Sequence, residues 1–220
     1  MRPQVITTSA LTDDGNGIAE DQTTSGAADL TLDGALVTSS VATAAEAQIV
    51  SIEGSGNNSG ITFTVTGTDQ DGKTVSEVIT GSNGGTAVST VYFKTVTQIA
   101  ASGAVTGDVE VGWLAASGFS TKSIPVNWRQ SPFNMTVAAD LTTSTGTFGV
   151  QYTVDGPQED YTNSFGVDAN WRDAAGLDKD SNTADGEDNI ITPVRAVRGI
   201  ATIGTSTTVL KFTFIQGQNG

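Results

Sequence analysis

The chain has 220 residues and a formal net charge of −14, from 24 acidic against 10 basic residues, and contains neither cysteine nor histidine. That composition excludes disulfides, thiolate chemistry and every Ser-His-Asp triad, and so strong an acidic surface repels a nucleic-acid backbone. Hydrophobic residues make up 37% and glycine supplies 26 positions, short of the roughly 45–50% apolar share of an average domain, so thin cores and many turns are expected.

The opening residues, Met1 to Thr8, lack the apolar run of a signal peptide. Nowhere do about 18 apolar residues follow one another, so no membrane span is expected. Residues 1–35 are rich in Thr, Asp and Gly, with Val5, Ile6, Leu11, Ile18, Leu30 and Leu32 as scattered anchors. Two readings stand: edge strands with loops, or an extended arm that lies on a neighbouring subunit. A weak helical spacing at Val41–Ile49 has no C-terminal stop.

Strand periodicity is far clearer. Ile61, Phe63 and Val65 share one face, with Thr62, Thr64 and Thr66 on the other. The same alternation recurs at Phe133, Met135 and Val137, at Phe148, Val150, Tyr152 and Val154, and at Leu210, Phe212 and Phe214. Further strands are expected at Gln48–Glu53, Thr74–Thr80, Val91–Ile99, Asp108–Trp113 and Val194–Ile203, all rich in residues that suit a pleated surface. The fold class is therefore all-β, with two antiparallel β-sandwich-like domains and an extended N-terminal segment. The small, polar stretch Ser117–Pro125 marks the boundary. Residues 1–123 form the first domain, including the arm of about 1–35, with a net charge of −9 from four basic and 13 acidic residues. Residues 124–220 form the second, with a net of −5 from six basic and 11 acidic residues and a long acidic loop at about 155–191.

Three acidic stretches invite a chemical reading. Asp69-Gln70-Asp71-Gly72 lies between two strand patterns, and Asp-Gly in that setting signals a hairpin bend. Lys73 and Thr74 follow it, so no calcium loop is completed. In Asp178–Asn189, the residues Asp178, Asp180 and Asn182 match the first three ligand positions of an EF-hand. Thr183 and Asn189 replace its Gly and Glu, and a solvated loop is expected, with no metal assigned. Asp155, Glu159 and Asp160 could serve a glycosidase, but a sugar cleft also needs stacking aromatics, and most Phe fall on core faces. Gly84-Gly85 opens no helix and supports no phosphate loop. No catalytic residue, metal or cofactor is assigned.

Trp128-Arg129 and Trp171-Arg172 join a broad ring to a fork of donors, a pairing enriched at the energetic centres of interfaces. The alternative is a Trp over a small core whose Arg pairs with nearby acids. Arg195 and Arg198 suit edge-strand charges or inter-subunit salt bridges, and Trp113 with Leu114 could brace the two domains. Arg2, Val5 and Ile6, in the arm, complete the interface candidates.

The stretch ITFTVTGTDQDGKTVSEVITGSNGGTAVSTVYFKTVTQI, Ile61–Ile99, resembles a segment common in virion structural proteins of tailed bacteriophages. FGVQYTVDGP (148–157), ANW (169–171), PVRAVR (193–198) and LKFTFIQG (210–217) look like a second such module. The resemblance implies a non-enzymatic virion protein made in the host bacterial cytoplasm. Its expected place is the outer capsid surface, as a decoration or cement protein that bridges and stabilises major capsid protein subunits. A homo-oligomer is expected, a trimer favoured, with neither nucleic acid nor membrane as partner. The strong negative charge suits the outside of a DNA-filled shell better than its lining. The alternatives are a head–tail adaptor or collar, or a tail fibre component whose Trp128, Trp171 or Tyr161 stacks on host-surface glycans.

Overall fold

The computed structural model describes residues 3–114, 118–143, 146–155, 170–203 and 207–217. No helix occurs among them, and the class is all-β. The weakly helical Val41–Ile49 is the start of a long strand.

The chain forms two compact units, Thr12–Ser117 and a second assembled from Met1–Leu11 with Gly118–Gly220. This division differs from the expected 1–123 and 124–220, and a single strand explains most of the difference. Strand β1 (Gln4–Thr7) runs antiparallel to the last strand of the chain, with Ile6 opposite Phe212. Thr8 prolongs the ladder, its N–H donating to the Leu210 carbonyl at 2.9 Å and its Oγ1 accepting from the Leu210 N–H at 3.0 Å. Of the two readings of residues 1–35, edge strands with loops describes this chain. The expected single arm is divided, its first residues in one unit and the remainder in the other.

The unit Thr12–Ser117 contains β2 (Asp14–Gln22), β3 (Ala28–Asp29), β4 (Val37–Thr38), β5 (Val41–Asn57), β6 (Thr62–Thr68), β7 (Thr74–Thr80), β8 (Asn83–Ala101) and β9 (Val109–Trp113). Its antiparallel ladder runs β2-β9-β5-β8-β6-β7, with β3 also on β8 and β4 on β5. Strands of 17 and 19 residues, β5 and β8, are too long to stay flat. Their pairing shifts register at Thr43/Gln48 and Ile49/Ser51, where bulges bend them. Strand β8 pairs with β5 from Asn83 to Val96 and with β6 from Thr95 to Ala101, the two ladders overlapping at Thr95 and Val96. Phe63, Val65, Phe93, Ile99 and Val111 are fully buried in the enclosed core.

Each bulge strands backbone groups that need partners. In β8, the N–H groups of Thr90 and Val91 turn to the Glu77 carboxylate on β7 at 2.9 and 3.0 Å. The β6–β7 hairpin is closed by Asp69, whose Oδ1 accepts from the N–H groups of Asp71 and Lys73, both at 2.9 Å. Gly72 takes φ of +81°, which a side chain would resist. The acidic turn is a bend, as its spacing indicated.

The other unit contains β1 together with β10 (Phe119–Ser120), β11 (Ile124–Pro125), β12 (Met135–Thr143), β13 (Thr147–Thr153), β14 (Arg172–Asp173), β15 (Gly186–Ile190), β16 (Ala196–Ile203) and β17 (Val209–Gln216). One sheet runs β1-β17-β12-β15, and β14-β13-β16-β10 make the second layer, with β11 also on β16. The layers meet at Gly199 on β16. A Cβ there would lie 2.4 Å from the Phe212 ring on β17, so only glycine admits the ring. Met135, Val137, Phe148, Val150, Phe212 and Phe214 fill the space between. The expected loop at 155–191 is not irregular throughout: β14 and β15 both lie in its described part. The acidic stretch GEDNI forms β15 because alternate residues face water while Ile190 turns inward.

Candidate functional site

The conspicuous side-chain arrangements of the second unit are arginine–tryptophan stacks. Trp128 sits in the loop after β11, and a glutamine holds that loop. The Gln216 amide of β17, 2% exposed, accepts from the Asn127 N–H at 3.0 Å and donates to its carbonyl at 2.7 Å. Val126 donates to the Arg195 carbonyl at 3.0 Å, and Arg195 donates to the Thr153 carbonyl at 2.7 Å, tying the loop and Arg195 to the same sheet. The Arg195 guanidinium consequently lies 4.0 Å from the Trp128 ring centroid, and that of Arg129 lies 5.0 Å away. Trp128 and Arg195 are half-buried while Arg129 is exposed.

Trp171 pairs differently from its sequence neighbour. Arg172 is exposed, and the guanidinium over the Trp171 ring belongs to Arg198, at 4.2 Å. Arg198 and Gln151 are cross-strand partners on β16 and β13. Gln151 Oε1 accepts from Arg198 Nε and Nη2 at 3.0 and 2.7 Å, and its Nε2 donates to Asp173 Oδ1 at 3.0 Å. The nearly buried glutamine thus couples a cation to a carboxylate that lies across the strand. The Trp171 indole N–H is buried without a partner among the described residues.

Asp173 also meets the acidic loop. Its carboxylate and those of Asp178 and Asp180 come within 4.8 Å of one another. The EF-hand spacing is not what gathers them. Asn182 donates to the Phe148 carbonyl at 3.2 Å, and Asn189 lies in β15, where its Oδ1 accepts from Thr136 Oγ1 at 2.9 Å. Asp178 Oδ1 accepts from the Asp180 N–H at 2.9 Å, and the Lys179 ammonium pairs with Asp180. The loop is closed by its own donors.

The remaining interface candidates scatter. Trp113 is fully buried in the core of the unit Thr12–Ser117, so its ring is no docking surface, and Leu114 beside it is half-buried. Val5 is 54% exposed on β1 and Ile6 is half-buried. Arg2, Glu159, Asp160 and Tyr161 lie outside the described residues, while Asp155 Oδ2 accepts from the Asn170 N–H at 2.6 Å.

A further arrangement, on β5, β9 and β2, drew no attention in the sequence. Glu53 and Glu110 are direct cross-strand partners. Burial first, then the charges of Asp21, Glu53 and Asp14, push the Glu110 carboxyl above its ordinary range. Like charges placed opposite one another in a sheet destabilise it. Only the strand register reveals this cluster, because its members are spread from Asp14 to Glu110.

Compared with known protein families, with curated proteins and with solved structures, the chain shows no significant match.

Proposed function

We propose that the protein is a non-enzymatic virion structural protein of a tailed bacteriophage, an outer-capsid decoration or cement protein that bridges major capsid protein subunits as a homo-oligomer. One observation carries the reading. The segments with the phage-like pattern, Ile61–Ile99 and the strands around Phe148, Arg195 and Phe212, are the segments that build the two scaffolds, and their acidic turn is closed on its own backbone. Scaffold strands with charged edges and a half-buried Arg–Trp surface suit a part that works by contact. Several small contacts per oligomer add through multivalency. The glycan-binding alternative is less well served, since Arg195 and Arg198 lie over the indole rings on which a sugar would have to stack.

Copy number in purified particles tests the proposal. Quantitative mass spectrometry against the major shell protein is expected to find on the order of hundreds of copies in simple ratio to the shell. About a dozen copies would move the protein to the portal, collar or tail, and none at all would refute a virion role.

A further inference from the structure

The Trp128 stack is unusual for this chain in its lack of acids. With 24 acidic residues against 10 basic ones, an arginine has many potential carboxylate partners. Yet among the described residues neither Arg129 nor Arg195 has a carboxylate within ion-pair distance; the ion pairs there are Lys179–Asp180 and Lys211–Asp140. Stacking on an indole engages the flat face of a guanidinium and leaves its N–H edge able to bind a carboxylate bidentately. The Gln216 clasp and the β11–β16 ladder hold the platform in place, so binding would forfeit little side-chain entropy.

The complementary surface lies on the same chain. Glu53 and Glu110 stand opposite each other with Asp14 and Asp21 beside them, and every charge found acting on Glu110 is negative. The unit Thr12–Ser117 has only two lysines against 13 acidic residues, a net of −11. The Lys94 ammonium is already bound to the carbonyls of Ala44 and Ala45, at 2.8 and 2.6 Å. The other unit holds eight of the ten basic residues. A positively edged plate and a self-repelling carboxylate pair are thus carried by each copy, one per unit.

We propose that Trp128, Arg129 and Arg195 of one copy form the docking surface for the Glu53–Glu110 carboxylate pair of a second copy. The contact joins two different surfaces, so it repeats from copy to copy, closing into a ring when the rotation allows it. This gives the proposed homo-oligomer a named contact, but it can be tested in solution without any particle, so its failure and that of the virion reading are separable.

Sedimentation velocity of the full chain, at about 0.05 M and about 0.5 M salt, is the experiment, because exposed charges are screened across that range. Association at low salt that dissolves at high salt is expected. Arg129→Glu and Glu53→Arg, both at exposed positions, should each weaken it roughly tenfold or more, since they bring like charges together. The double reversal, Arg129→Glu with Glu53→Arg in one chain, should restore it. Unchanged thermal unfolding of each variant keeps a folding defect from imitating the result. A chain that stays monomeric at low salt up to roughly 0.1 mM overturns the proposal. Association indifferent to the reversals overturns it equally. Capture of a foreign acidic protein by a monomeric chain would assign the surface to that partner instead.

Discussion

At the scale of single residues, three glutamines do the same work. Gln22 holds Thr31 by both its N–H and its carbonyl, at 2.7 and 2.9 Å, Gln48 holds Thr12 at 2.8 and 2.9 Å, and Gln216 holds Asn127. A primary amide presents a donor and an acceptor side by side, as a neighbouring strand would, and so satisfies a backbone segment that has no strand beside it. Gln216→Met keeps the length and removes both groups. It should cost about 0.5–1.5 kcal/mol in urea unfolding, because two hydrogen bonds are lost at a site that is only partly buried, Asn127 itself being exposed. The freed loop should also shift tryptophan emission to the red. A loss of stability with no change in emission would mean that the clasp serves the sheets and not the Trp128 platform.

At the scale of elements, the β2-β9-β5 ladder carries a built-in electrostatic fault. Folding favours the protonated form of Glu110, whose carboxyl is raised above 4.5 by burial and by Asp21, Glu53 and Asp14. Its contribution to stability is therefore fully present below the unfolded value and is lost as pH rises through the higher folded value. Asp69, raised chiefly by burial in the β6–β7 turn, acts with the same sign. Glu110→Gln is neutral throughout. At pH 7, in dilute monomer, it should be more stable than the parent by about 0.2–1 kcal/mol. The gain should shrink toward zero as the pH falls to about 4, where the parent's own carboxyl is protonated. Parallel pH profiles for variant and parent would show that the cross-strand repulsion is not felt. The register alone exposes this cluster, since nothing in the local sequence pairs Glu53 with Glu110.

At the scale of the whole molecule, the unit Thr12–Ser117 stands in the chain between β1 and the rest of the other unit. Both ends of the inserted stretch lie in the same unit, and its core is built from its own strands. Expressed alone, residues 12–117 should retain a β-type circular-dichroism spectrum and melt cooperatively. A broad, non-cooperative melt would show that the core is incomplete without the rest of the chain. The expected boundary was 123/124, after the small polar stretch from Ser117, whereas the compact units divide at 117/118 and also at 11/12. That residues 1–11 join the later unit left no local trace, because β1 finds its partner about 200 residues away.

The sequence by itself determined what depends on near neighbours. Period-two alternation marked Phe63 and Val65, Met135 and Val137, and Phe212 and Phe214 as inward-facing, and all six are buried. The Asp-Gly pair marked the hairpin turn, and the absence of histidine and cysteine removed whole classes of chemistry. These signals survive because a turn or a strand face is set within a few residues. Only the tertiary structure decided that Arg198 and not Arg172 covers Trp171, that Arg195 joins Arg129 at Trp128, and that Asp173 meets Asp178 and Asp180. Each of these meetings depends on which strands pair and in what register, or on how a loop returns to a strand. A shift of one residue in the β13–β16 or β13–β14 register would turn Arg198 or Asp173 to the opposite face of its strand.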